Sequence, residues 1–162
     1  MGLINKNGAF IMIQTERLKI YPSSREQMER IIATETCEEL KAAYSQMLES
    51  CLSHMGEWEW YAMWNIELMN GTHVGELCFK GLDANGVVEI GYGILEEYQG
   101  QGYATEAVKA VTEWALQENN VTAIEAETDV NNIISQKVLA KCGFVEKGIL
   151  GEEGPRFALT RG

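Results

Sequence analysis

Hydrophobic and polar positions first settle into alternation at Thr15-Glu16-Arg17-Leu18-Lys19-Ile20-Tyr21, which predicts a short strand ended by Pro22. Ser23 or Ser24 can then cap a helix. From residue 25 to about 55, apolar side chains recur at three- and four-residue spacings, with Met28, Ile31 and Ile32 in one group and Leu40, Ala43, Tyr44, Met47, Leu48, Cys51 and Leu52 in another. That interrupted pattern predicts two helices. Residues 60–68 alternate again, with Ala62, Trp64, Ile66 and Leu68 on one face, and Asn70-Gly71 closes the segment with a hairpin signal. A strand over 74–79, a turn at Asp83-Ala84-Asn85-Gly86 and a strand carrying Val88, Ile90, Tyr92 and Ile94 complete an expected antiparallel meander.

The second half has a different period. Ala104, Ala107, Val108, Val111 and Ala115 form one helical stripe between Tyr103 and Glu118, and a strand over 122–128 follows. Strand, helix and strand in succession imply a right-handed crossover, so this strand should lie parallel to the one before the helix. Asn131 or Asn132 can cap a further helix that bears Val138, Leu139 and Cys142 and stops at Gly143. Strands over 144–150 and 157–159, joined through Gly151 to Gly154, finish the chain.

Length and composition narrow the class. A chain of 162 residues suits one domain, expected over 12–162, with a polar leader, expected to be poorly ordered, over 1–11. No apolar run approaches the roughly 18 residues of a membrane span, and the first ten residues lack the apolar block of a secretory signal, so no membrane partner is expected and the cytoplasm is the expected compartment. The net charge of −11 argues against nucleic acid, whose phosphates require clustered Lys and Arg. It would also attract cationic partners such as amines, although acidity also serves solubility alone. Cys37, Cys51, Cys78 and Cys142 show no metal-ligand spacing, and His54 and His73 are isolated, so no metal is expected.

The segment Glu97-Tyr98-Gln99-Gly100-Gln101-Gly102-Tyr103-Ala104-Thr105-Glu106 joins an apolar strand to an amphipathic helix through two glycines. Free main-chain N–H groups and the positive end of the helix dipole meet at such a junction, and glycines clear room for a diphosphate; a plain strand-to-helix turn would look the same. A Walker loop would need Gly-Lys-Ser/Thr, which is absent. A dinucleotide fingerprint would need Gly or Ala at Thr105 and would follow the first strand of a parallel sheet, whereas this turn follows a meander.

Gln99-x-x-Gly102-x-Ala104 resembles the Gln/Arg-x-x-Gly-x-Gly/Ala signature of the GNAT superfamily of acetyltransferases. Thr15-Glu16-Arg17-Leu18, Glu89-Ile90-Gly91-Tyr92, Asn132-Ile133-Ile134-Ser135 and Lys141-Cys142-Gly143-Phe144 occur in matching order, similar to the branch that includes ribosomal-protein N-terminal acetyltransferases. The resemblance implies an α/β (α+β) fold: a mixed, mostly antiparallel sheet of about six to seven strands with a central splayed parallel pair and flanking helices. It also implies acetyl-coenzyme A as donor and an amine acceptor, either a small molecule or a peptide N-terminus, with a homodimer as a further expectation. The diphosphate would lie on Gln99, Gly100, Gln101, Gly102, Tyr103, Ala104 and Thr105, the pantetheine arm beside Ile94 and Leu95, and Asn132 and Ser135 would reach the cofactor. A coenzyme A-binding sensor or interaction module without turnover is the alternative.

Direct acetyl transfer needs a base for the amine, a donor for the oxyanion and a donor for the leaving sulfur. By resemblance the oxyanion donor is a main-chain N–H near Ile94, where the family has a bulge. The family's usual acid is a Tyr seven residues after the Asn, and here that position is Leu139. Ser135 is the candidate in its stead, with capping or cofactor binding as an equal reading. Glu89 stands first as catalytic base, with Glu127 and the pair Glu152 and Glu153 behind it. Trp58 and Trp60 are expected in core or dimer packing, or on the wall of an acceptor pocket, and Trp64 in the core.

Overall fold

A computed structural model describes residues 11–161. One sheet in the order β1-β2-β3-β4-β5-β6-β8-β7 runs through it. Its strands are β1 (Ile13–Gln14), β2 (Leu18–Pro22), β3 (Met63–Leu68), β4 (His73–Leu82), β5 (Val87–Ile94), β6 (Ala123–Glu127), β7 (Val145–Leu150) and β8 (Pro155–Thr160). The helices are α1 (Arg25–Thr34), α2 (Glu38–Ser53), α3 (Tyr103–Gln117) and α4 (Ile133–Lys141). The sheet is mixed and mostly antiparallel as expected, with eight strands rather than six or seven, because Ile13 and Gln14 fold back onto Ile20 and Lys19.

Two apolar clusters sandwich the sheet. The larger holds Leu18, Ile20, Trp64, Ile66, Val88 and Ile90 against Val108 and Val111 of α3 and Leu139 of α4. The smaller gathers Met28, Cys51, Trp58 and Ala62 at α1 and α2. These clusters explain a departure from the predicted strand over 60–68, which begins only at Met63 after a 3-10 turn over Met55–Trp60. Residues two apart on a strand share a face, yet Trp58 belongs to the smaller cluster and Trp60 to the larger, so the chain must coil between them. The Trp58 indole donates to the Ser23 carbonyl at 2.8 Å, and Trp60 stacks on Trp114 at 5.2 Å. Both tryptophans are core. Ile11, assigned to the leader, is only 3% exposed and joins the larger cluster; the rest of the leader lies outside the described residues.

The feature that positions a site is the β5–β6 pair. It is the sheet's parallel pair, and its register holds only for Val87–Ala123, Val88–Ile124 and Glu89–Glu125. Beyond Glu89, β5 stays with β4 as far as the Gly75–Ile94 pairing, while β6 stays with β8 as far as Glu127–Arg156. Two strands held by different neighbours diverge and open a cleft between them. The bulge expected near Ile94 is not found in the β4–β5 ladder: its register shift lies between Phe79 and Leu82, where Gly81 takes φ +88°.

Candidate active site

After β5, a 3-10 turn over Glu96–Tyr98 leads to Gly100 and Gly102, with φ of +79° and +85°. These left-handed conformations favour glycine. Gly102 is the N-cap of α3 and supplies no side-chain cap. The Glu106 N–H to Gly102 carbonyl bond, 3.1 Å, opens the helical ladder, so the amides of Tyr103, Ala104 and Thr105 lie ahead of it. A cavity of about 410 Å³ lies against this turn, lined by Gly100, Gly102, Ala104 and Thr105, with Ile94 at its strand side and Lys137 and Lys141 of α4 opposite. Main-chain donors, a helix dipole and two lysines around a space that no glycine side chain fills suit a diphosphate.

The turn is braced from behind. The Arg17 guanidinium donates to Glu106 Oε1 at 2.7 Å and to the Gln101 carbonyl at 2.9 Å, and it lies 4.6 Å over the Tyr103 ring. Glu106 Oε2 accepts from the Arg17 main-chain N–H at 3.0 Å and from the Thr15 hydroxyl. Burial alone would raise the Glu106 carboxyl, but the hydrogen bonds from Thr15 and Arg17 outweigh it and hold the group below its ordinary range.

A second cavity of about 280 Å³ occupies the opening between the strands, with Ile90, Gly91 and Tyr92 on one wall and Ala126, Glu127 and Thr128 on the other. Residues Asn132, Ser135 and Leu139 of α4 and its cap close it. The Asn132 side chain caps α4 by accepting from the Ser135 N–H at 3.1 Å. The Tyr92 phenol oxygen lies 2.7 Å from Ser135 Oγ and 3.3 Å from the Ser135 carbonyl oxygen. Thr128 is 4% exposed, and its hydroxyl has no hydrogen-bond partner among the described residues. An orphaned buried hydroxyl is uncommon.

Glu127, Asp129 and Glu153 line this opening, and Glu89 and Glu125 line a neighbouring cavity with Arg156. Arg156 binds Glu89 at 2.9 Å, Glu125 at 3.0 Å and Glu127 at 2.6 Å. Lys80 takes the other oxygen of Glu89 at 3.0 Å, and Lys147 that of Glu125 at 2.9 Å. The second oxygen of Glu127 accepts the Glu153 main-chain N–H at 2.7 Å. Burial would raise the Glu89 carboxyl, but hydrogen bonds from Arg156 and Lys80 keep it low. Glu153 lines the cleft, and its carboxylate makes no hydrogen bond or salt bridge among the described residues.

A family model, described as an acetyltransferase (GNAT) domain, matches residues 14–145. The chain belongs to this family. Among curated relatives, the uncharacterized N-acetyltransferase YjdG of Bacillus subtilis (strain 168) is 37% identical over 82 residues, which cover 50% of this chain and 46% of that protein. The chain thus spans about half the length of the curated relatives it matches first. Among solved structures, the ribosomal L7/L12 alpha-N-protein acetyltransferase RimL in complex with coenzyme A superimposes with TM-score 0.73 at 14% identity, over 93% of this chain and 98% of that one. A spermidine N-acetyltransferase from Vibrio cholerae in complex with coenzyme A and spermine gives TM-score 0.70 at 17% identity, over 90% and 96%. At these identities the likeness shows the GNAT fold.

On this GNAT scaffold, Ile94, Gln99, Gly100, Gly102, Tyr103, Ala104 and Thr105 come together on the first cavity. Asn132 and Ser135 meet on the second. Leu95 and Gln101 line neither; Leu95 bonds through its N–H to Val74, and the Gln101 carbonyl is taken by Arg17. The Gln99 amide folds back to donate to the Ile94 carbonyl at 2.9 Å, tying the turn to the end of β5. Tyr92, Thr128, Arg156 and the bracing role of Arg17 escaped the sequence reasoning. Tyr92 sits in the alternation Val88, Ile90, Tyr92, Ile94, which marks it as core; only the divergence of β5 from β6 turns that face into a cleft wall. Among the described residues no helix is long and apolar enough to cross a membrane, and no group of three or more His, Cys, Asp or Glu is placed to hold a metal.

Proposed function

We propose that this GNAT protein transfers an acetyl group from acetyl-coenzyme A to a primary amine by direct attack in a ternary complex. One observation carries the proposal: the uncapped, glycine-lined start of α3 and the cleft between β5 and β6 flank the same helix. Ile134, Lys137, Val138 and Lys141 of α4 face the first cavity, and Ser135 and Leu139 face the second. A diphosphate on Gly100 to Thr105 would therefore send its arm along β5 past Ile94 into the cleft. Acetyl-coenzyme A supplies the activated acyl group as a thioester.

The chain's own groups meet the remaining needs. On the edge of β5 that turns from β6, the N–H groups past Glu89 have lost ladder partners and offer main-chain donors for an oxyanion. Amines with pKa values of about 8 to 10 arrive as cations, which Glu127, Asp129 and Glu153 attract at the cleft. We assign the base to Glu153, directly or through one water, because its carboxylate makes no hydrogen bond or salt bridge among the described residues, while both oxygens of Glu89 are compensated by Lys80 and Arg156. Glu89 then holds Arg156 and Lys80 in place as a structural anion. Relatives named for a ribosomal protein and for spermidine support an amine acceptor without choosing between protein and small molecule.

Incubation with acetyl-coenzyme A and a panel of polyamines, amino acids, aminoglycosides and peptides, read by thiol release and product mass, tests the assignment. A product heavier by one acetyl group on nitrogen is expected. Tight coenzyme A binding with no product from any amine would point to the sensor instead.

A further inference from the structure

We propose, on the basis of the acetyltransferase function above, that Tyr92 is a positioning residue that sets Ser135 as hydrogen-bond donor to the departing sulfur. The helix position where the family's tyrosine would stand holds Leu139, which is fully buried and has no hydroxyl. A phenol reaches the same chamber from the opposite wall, because Tyr92 rises from β5 beside Ile90 and meets α4 one turn before Leu139.

The phenol oxygen has two contacts with Ser135, 2.7 Å to Oγ and 3.3 Å to the carbonyl oxygen, which can only accept. Either oxygen can be the donor in the shorter contact. A phenol that donates to the carbonyl receives the Ser135 Oγ hydrogen, and a phenol that donates to Oγ leaves that hydrogen free; the role proposed for Tyr92 needs the second arrangement. When Tyr92 donates along the shorter contact, the hydrogen of Ser135 Oγ is released to turn into the cleft. Burial pushes the Tyr92 phenol up, so it remains a protonated donor throughout the neutral range.

The pair's role follows from relative acidity. A thiol has a pKa of about 8.5, and a serine hydroxyl is a far weaker acid, so handing a whole proton to a thiolate would run uphill. A hydrogen bond does not. As the new C–N bond is made, the C–S bond breaks with its electron pair on sulfur, and the amine's proton passes to the base. Ser135 Oγ–H donates to the charge growing on sulfur, polarised by Tyr92 behind it. Neither hydroxyl changes its protonation state.

The test compares wild type, Tyr92→Phe, Ser135→Ala and the double variant in kcat and in direct binding. A neutral hydrogen bond is worth up to about a factor of ten, so Y92F should lower kcat by roughly that factor. Because Tyr92 acts through Ser135, the double variant should be no slower than S135A alone. Calorimetric affinity for coenzyme A relative to its desulfo analogue should rise with pH through the thiol pKa in wild type, and this rise should shrink in Y92F. Losses that multiply, or a Y92F protein with wild-type kcat and an unaltered pH dependence of binding, would overturn the role of Tyr92 and leave the transferase function standing. Failure of the wild type to bind coenzyme A at all would remove both.

Discussion

At the scale of single residues, Thr128 separates a structural from a ligand-directed role by sign. Its hydroxyl is buried without a partner in the cleft wall. An unsatisfied buried polar group costs about 1–3 kcal/mol, so Thr128→Val, which keeps the shape, should raise the melting temperature of the free protein by about 3 °C. The same change should weaken coenzyme A binding if the hydroxyl serves the ligand. Calorimetric melting and binding isotherms on one preparation read both. The carboxylates divide in a similar way. Glu153→Gln should lower kcat/KM by about a hundredfold at neutral pH, with the loss narrowing as pH rises toward the amine's own pKa and free base becomes abundant. Glu89→Gln should mainly cost stability, about 1–3 kcal/mol, because it leaves Arg156 and Lys80 with a weaker partner. A pH–rate profile of both variants decides between them.

Among elements, the α3 turn depends on a strand far away in sequence. Arg17 precedes β2 and holds Glu106, Gln101 and Tyr103 at once. Its side chain is 43% exposed, and exposed pairs add under about 1 kcal/mol to stability. The brace should therefore matter for where the turn sits more than for whether the protein folds. Arg17→Ala is expected to leave the melting temperature nearly unchanged and to weaken coenzyme A binding about tenfold, since charge-assisted bonds set the loop's main chain; titration calorimetry checks this. Elements were well legible in the sequence wherever one period served one core. The meander, α3, β6 and α4 all lie within a few residues of their expected bounds. Legibility failed where two cores compete, as at Trp58 and Trp60, and where a side chain's surroundings depend on strand divergence, as at Tyr92. The ion pair of Glu89 was hidden for a related reason: alternation placed Glu89 on the polar face, but Arg156 lies 67 residues further along the chain, and no local pattern announces that pairing.

For the whole molecule, acid should be the sensitive direction. Glu89, Glu106 and Glu125 all stand below the ordinary carboxylate value of 4.5 in the folded chain. The unfolded chain therefore binds more protons as the pH falls, so the stability these groups contribute is complete above about pH 4.5 and is lost as pH drops through their lower folded values. Denaturant midpoints measured from pH 7 to pH 3 should stay level and then decline. In Arg156→Gln, where three carboxylates face one another with less compensation, the decline should begin at higher pH.

The central claim is that main-chain donors at the start of α3 hold the donor's diphosphate. Amide chemical shifts of the nitrogen-15-labelled protein, recorded with and without coenzyme A, address those donors individually. The largest changes are expected at Gly100, Gly102, Tyr103, Ala104 and Thr105, with smaller ones along β5 to Tyr92. Saturable binding that leaves these amides still while shifting others would contradict the account.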